Sequence, residues 1–122
     1  MKTELFKQRL IAEERKLLTL IKRAEASARE GVFDSAHDLG DESVNDEQTE
    51  EQLKEADTYW GELKQVRDAL QRIEDGTFGK CIVDGGPIEE KQLEAIPWTP
   101  YCLKHERQKQ RRLAHLQELR RG

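Results

Sequence analysis

Two short stretches decide how this chain is read: Lys80-Cys81-Ile82-Val83-Asp84 and Tyr101-Cys102-Leu103-Lys104-His105. Together they spell C-x2-D, a gap of 17 residues, and C-x2-H. That is the spacing of a small zinc module, in which two knuckles each offer two ligands and a loop folds back between them. The chain has only 2 cysteines, and each stands first in its knuckle. Asp84 and His105 fill the second places with a carboxylate and an imidazole, both able to bind zinc. The expectation is a closed, tetrahedral, structural site. A catalytic zinc needs an open coordination position and a pocket, and so small a head supplies neither. The competing reading is a metal-free knuckle held by Trp98, Phe78, Ile82, Leu93 and Ile96.

Working back from the first knuckle, Asp75-Gly76-Thr77-Phe78-Gly79 carries two glycines and ends whatever precedes it. Residues 46–75 show helical periodicity through Leu53, Ala56, Trp60, Leu63, Arg67, Leu70 and Ile73, with Val66 beside the one charged interruption. Residues 4–30 repeat the pattern through Leu10, Leu17, Ile21, Ala24 and Ala28. Such narrow seams belong to coiled-coil helices. Gly31 is expected to stop the first helix, and Asn45 or Asp46 to cap the second. Two helices with matched seams and a short connection pack antiparallel. Beyond the knuckles, Glu89–Ala95 reads as a helical turn or two. Pro97 and Pro100 bracket Trp98, and Cys102 opens a last helix over 102–120, whose Leu113, Leu116 and Leu119 are expected to pack on the base of the hairpin.

Charge is unevenly spread. Residues 30–53 carry nine acids and neither Lys nor Arg, whereas residues 101–122 carry seven basic residues against Glu106 and Glu118. The acids gather where the hairpin must turn, not along one face. Over the whole chain the net charge is -4, with 35% hydrophobic and 38% charged residues. That composition suits long solvated helices better than a large core. No apolar run reaches the length of a membrane span, and the N-terminus lacks a signal-peptide apolar region. A cytoplasmic protein, with cysteines for metal rather than a disulfide, is the expectation. His37 and His115 read as surface residues. Neither has a Ser or Cys partner suggesting a catalytic triad, so an enzyme is not expected.

The residues also carry a resemblance. Ile73-Glu-Asp-Gly-Thr-Phe-Gly-Lys-Cys81, with Gly85-Gly-Pro-Ile88 and Leu93-Glu-Ala-Ile-Pro-Trp98, resembles the DksA/TraR zinc-finger family of bacterial transcription regulators. The resemblance is close over residues 66–106 and extends in architecture to the whole chain. It implies a coiled-coil hairpin that enters the secondary channel of RNA polymerase with a D-x-x-D-x-A tip. Here that tip is Asp38-Leu-Gly-Asp41-Glu-Ser43, with Ser in place of Ala and Asp41 standing 40 residues before Cys81. Two metal positions depart from the family pattern, Asp84 and His105 replacing Cys. The long N-terminal segment of larger members is absent, as expected of a shorter relative. Ile96 stands where basic residues occur in members that bind an alarmone nucleotide, so polymerase binding is carried over and nucleotide sensing is not.

The expected fold is therefore mostly α: an antiparallel coiled-coil hairpin over 1–75 with an acidic tip at about 31–45, then a zinc-finger head with a C-terminal helix over 76–122. The expected function is regulation of transcription through RNA polymerase by a monomeric, non-enzymatic protein. Structural zinc is expected on Cys81, Asp84, Cys102 and His105. The resemblance implies that the tip Asp38, Asp41 and Ser43 acts at the polymerase active-site region. The rival is a zinc-finger protein that binds DNA through its basic C-terminal helix, although no helix-turn-helix pattern supports sequence-specific reading.

Overall fold

The computed structural model describes the backbone of residues 2–37 and 42–121 and the side chains of residues 2–29 and 50–120. Four helices follow one another: α1 (Thr3–His37), α2 (Glu42–Asp75), α3 (Glu90–Ala95) and α4 (Leu103–Arg121). Among the described residues no strand forms, and a single antiparallel bridge joins Lys80 to Pro87. The chain divides into two compact units, Ile11–Arg67 and the pair Met1–Leu10 with Asp68–Gly122.

In the unit Ile11–Arg67, α1 and α2 run antiparallel. Glu14 pairs with Arg67 at 3.2 Å, and Trp60 Nε1 donates to Glu25 Oε1 at 3.1 Å, so rising numbers on one helix meet falling numbers on the other. The seam between them is narrow. Leu17, Ile21, Ala24 and Ala28 on α1 face Ala56, Leu63 and Val66 on α2, all buried. Each fully buried aliphatic side chain stabilises the pair by about 1.5–3 kcal/mol. The Ala residues let the backbones approach.

The α1 seam is where periodicity placed it. The α2 seam is not: Leu53 and Trp60 are 49% and 45% exposed. The inward row is Gln52, Ala56, Tyr59, Leu63, Val66, Leu70 and Ile73, each buried or half-buried. Its gaps alternate four and three, the spacing that keeps a seam facing its partner. Nor does Gly31 end α1, which continues to His37; α2 begins at Glu42, ahead of the expected cap at Asn45 or Asp46. A glycine inside a helix costs about 1 kcal/mol relative to Ala, which a helix of 35 residues absorbs.

The other unit is built on turns. Gly76, at φ 75°, closes α2: its N–H donates to Ile73 O at 3.2 Å, and Thr77 N–H donates to Arg72 O at 2.9 Å. This paired arrangement satisfies the last carbonyls of the helix and needs a residue that tolerates positive φ. The chain then enters a small core of Phe6, Cys81, Ile88 and Leu93, with Phe78, Tyr101 and Cys102 packed against it. The Phe6 and Phe78 rings lie 5.7 Å apart at 48°, a tilted contact suited to aromatic quadrupoles. Ile82 and Ile96, expected in this core, are exposed: the first knuckle turns Ile82 outward while Cys81 points in, and Ile96 stands at the end of α3. Leu113, Leu116 and Leu119 do not pack on the hairpin base. All three are exposed, as is every residue of α4 from 107 to 120.

Candidate metal centre

Cys81 owes its position to the turn that follows it. Gly85, at φ 71°, reverses the chain, so that Gly85 N–H donates to Cys81 O at 2.8 Å and Cys81 N–H donates to Gly86 O at 2.7 Å. Asp84 caps the same turn: its Oδ1 accepts the Gly86 N–H at 2.9 Å. A Cβ on Gly86 would meet that oxygen at 3.1 Å, so glycine suits the position. The second knuckle is tied to the first where Ile82 N–H donates to Pro100 O at 2.9 Å. Cys102 then stands at the start of α4, its carbonyl accepting Glu106 N–H at 2.9 Å. One helical turn later, residue i+3 lies over it, and that residue is His105.

The four expected ligands therefore converge. One ligand atom from each of Cys81, Asp84, Cys102 and His105 lies within 4.8 Å of all the others. His105 Nδ1 is 3.1 Å from Cys102 Sγ, 3.4 Å from Cys81 Sγ and 3.6 Å from Asp84 Oδ2. Ligands at zinc bond lengths of about 2.0–2.3 Å in a tetrahedron stand about 3.3–3.8 Å from one another. The separations to Cys81 and Asp84 match that edge length, and the separation to Cys102 is slightly tighter. With Oδ1 engaged by Gly86, Oδ2 of Asp84 remains free to face inward. Two sulfurs, one imidazole and one carboxylate form a donor set able to hold a metal ion.

The local electrostatics agree. Burial alone pushes the Cys81 thiol up, but hydrogen bonds from the backbone at Cys102, Val83 and Asp84, together with the Cys102 side chain, outweigh it and bring it below its ordinary value. The thiolate is the metal-binding form. The Gly86 N–H, helped by Cys81 and His105, holds the Asp84 carboxyl below the usual carboxylate range.

The expected tip falls elsewhere: Asp38 and Asp41, and the side chain of Ser43, lie outside the described residues. Two residues that periodicity did not flag help position the head. Arg72, half-buried in the last turn of α2, donates from Nη2 to Trp98 O at 3.3 Å, linking the helix end to the second knuckle. Burial lowers the pKa of its guanidinium from the ordinary value, and Asp68 opposes that shift. Tyr101 packs against the core, and Lys109 of α4 sits 5.2 Å from its ring centroid. The only sequence signal for either was proximity: Arg72 to a helix end, Tyr101 to a cysteine.

No family model matches the chain. Among curated relatives, the RNA polymerase-binding transcription factor DksA of Caulobacter vibrioides is 28% identical over 109 residues, 89% of this chain and 76% of that protein. An uncharacterized protein of Aquifex aeolicus is 50% identical over 42 residues; the match spans 34% of this chain and only 29% of that protein. Among solved structures, transcription factor DksA2 from Pseudomonas aeruginosa shares the fold with a TM-score of 0.81 at 24% identity, over 92% of this chain and 85% of that one. Over most of its length the chain is thus similar to DksA-type proteins. Its fold is mostly helical, with a coiled-coil hairpin, as in the DksA2 structure. Among the described residues no helix is long and apolar enough to cross a membrane.

Proposed function

We propose that this chain is a DksA-type transcription factor that binds RNA polymerase and modulates initiation. The observation that carries the reading is the likeness over 109 residues to a protein named for binding RNA polymerase, on a helical frame of matching fold. The hairpin would enter the secondary channel. Asp38, Asp41 and Ser43 would then stand near the polymerase active-site region, where carboxylates can act on a bound cation or repel phosphate. Cys81, Asp84, Cys102 and His105 would hold a structural zinc that ties the two knuckles together when bound. Nothing in this role asks the chain to be a catalyst.

The test is capture of purified polymerase core, with and without a competing cleavage factor whose hairpin occupies the same channel. Binding that the competitor displaces supports the reading; binding indifferent to it rejects channel entry. The rival reading draws on the exposed basic residues of α4. Removing residues 108–122 should weaken any DNA affinity and flatten its salt dependence, while leaving binding of the hairpin to polymerase measurable. Tight, sequence-selective DNA binding in the absence of polymerase would favour the rival.

A further inference from the structure

α4 keeps contact with the head through its first turn, and from 107 to 120 its residues are exposed. Leu113, Leu116 and Leu119 are 50%, 46% and 63% exposed. Spaced by three, they share one side of the helix. Lys109, Arg112 and Arg120 each stand four residues from one of these leucines and so lie on the same side of the helix. Glu118 falls off that side; Glu106 lies two turns before Leu113 and is engaged by Gln110, whose Nε2 donates to Glu106 Oε1 at 3.4 Å. The described part of α4 carries six basic residues (Lys104, Arg107, Lys109, Arg111, Arg112, Arg120) against those two acids.

The leucine row leads out of a cleft of about 300 Å³ between the first knuckle and α4, lined by Val83, Tyr101, His105, Gln108, Lys109 and Arg112. Val83 and its neighbour Ile82 are both more than half exposed. Apolar surface thus lies at each end of the face, with cations between. Among the described residues nothing covers it.

The chemistry of the occupant follows from that pattern. A phosphate backbone needs cations alone and leaves three leucines on the cationic side unexplained. A membrane surface takes a helix with a broad apolar face, and here the face is a single row. A helix with its own apolar row flanked by Glu and Asp would bury the leucines and meet Lys109, Arg112 and Arg120 with opposite charge.

We propose that this side of α4, together with the cleft beside Tyr101, is a docking groove for an acidic amphipathic helix of a partner protein. The proposal is independent of polymerase binding through the hairpin.

The experiment titrates a labelled synthetic helical peptide into the isotope-labelled full chain. The peptide carries leucines at helical spacing flanked by glutamates. A peptide of the same composition in scrambled order, a DNA duplex and anionic phospholipid vesicles are the comparison arms. Saturable binding is expected, with amide shifts centred on residues 101–120 and weakening as salt rises. Leu113→Ser with Leu116→Ser should weaken the peptide on the order of tenfold, with an unchanged melting temperature because both leucines are exposed. Lys109→Glu with Arg112→Glu should abolish preference for the acidic peptide. Equal binding of the scrambled peptide overturns the groove, as does undiminished binding by the leucine variant. Tighter binding of DNA or vesicles at the same amides assigns the face to that ligand and overturns the proposal.

Discussion

The two compact units hold themselves together in different ways. The unit Ile11–Arg67 spreads its stability along a row of small contacts between α1 and α2, where Ala24, Ala28 and Ala56 alternate with Leu17, Ile21, Leu63 and Val66. The unit that contains the knuckles concentrates it in one cluster of Phe6, Cys81, Ile88 and Leu93, beside the converging side chains of Cys81, Asp84, Cys102 and His105. A distributed seam should yield a little at every change. A concentrated core, beside a group able to hold a metal, should fail at once when one member goes.

Metal removal probes that contrast most severely. Structural zinc in finger peptides contributes an apparent binding free energy of about 10–16 kcal/mol, far above any side chain in the seam. Zinc at about one per chain is expected in protein purified without chelator, with a large fall in melting temperature on chelation. Hydrogen exchange should localise the loss to 76–106 and spare the amides of 11–67. Cys102→Ser should lower zinc affinity more than Asp84→Ala, because thiolate is the stronger ligand. Sub-stoichiometric zinc with unchanged stability would make the head metal-free and leave its core to carry the load alone.

The second probe removes one leucine from each unit. Leu93 and Leu63 are almost fully buried, and either change to Ala should cost about 2–5 kcal/mol. Leu93→Ala should sit at the upper end, since the turns around it leave little freedom to collapse into the cavity. Leu63→Ala should sit at the lower end, since two helices joined along a narrow seam can close toward each other. Chemical denaturation of both variants ranks them; a reversed order would mean that the seam is the stiffer structure.

How much of this was legible follows the same division. The α1 seam was readable because Leu10, Leu17, Ile21, Ala24 and Ala28 keep heptad-like spacing, even with Ile11, Leu18 and Leu20 beside them. On α2 the sequence offered a choice at alternate positions, Gln52 or Leu53, Tyr59 or Trp60, Val66 or Arg67. Hydrophobicity favours Leu53 and Trp60, and both rows keep step with Ala56, Leu63 and Leu70, but only Gln52, Tyr59 and Val66 also keep the alternation through Ile73. A single facing helix covers only a narrow stripe, so the register of the seam outweighs the apolar content of any one residue. The convergence of Cys81, Asp84, Cys102 and His105 was readable because knuckle spacing is imposed by local turn geometry. The outward turn of Ile82 and Ile96 was not, since their burial depends on how loops cross rather than on a period. The exposed row on α4 was misread for the same reason: periodicity shows that a face is apolar but not what covers it.

Trp60 tests that account of the seam. It is half-exposed, and its indole N–H donates to Glu25. Trp60→Ala should cost about 1 kcal/mol or less, the usual net value of one hydrogen bond. Tyr59→Ala, on the inward row, should cost more. Equilibrium unfolding of the two variants decides between the registers; a larger loss at Trp60 would restore the row that includes Leu53.

The smallest expected effect on stability belongs to the acidic segment, and there the contrast turns from stability to function. Asp38→Asn with Asp41→Asn removes two of the nine acids in residues 30–53, where no Lys or Arg compensates them. Both positions lie outside the two apolar rows and the ligand set. Surface substitutions away from such features usually change stability by within about ±0.5 kcal/mol, and relief of like-charge repulsion pushes the sign toward stabilisation. Affinity for polymerase should also hold, if recognition rests on the hairpin flank and head. The effect on transcription initiation should be lost, because electrostatic action at a channel requires the charge itself, and the amide keeps the shape without it. Competitive polymerase binding beside an in vitro initiation assay separates these outcomes. A variant that binds and regulates like the wild type would reduce the acidic segment to a solvated turn, and the head and hairpin flank would then have to carry regulation as well as recognition.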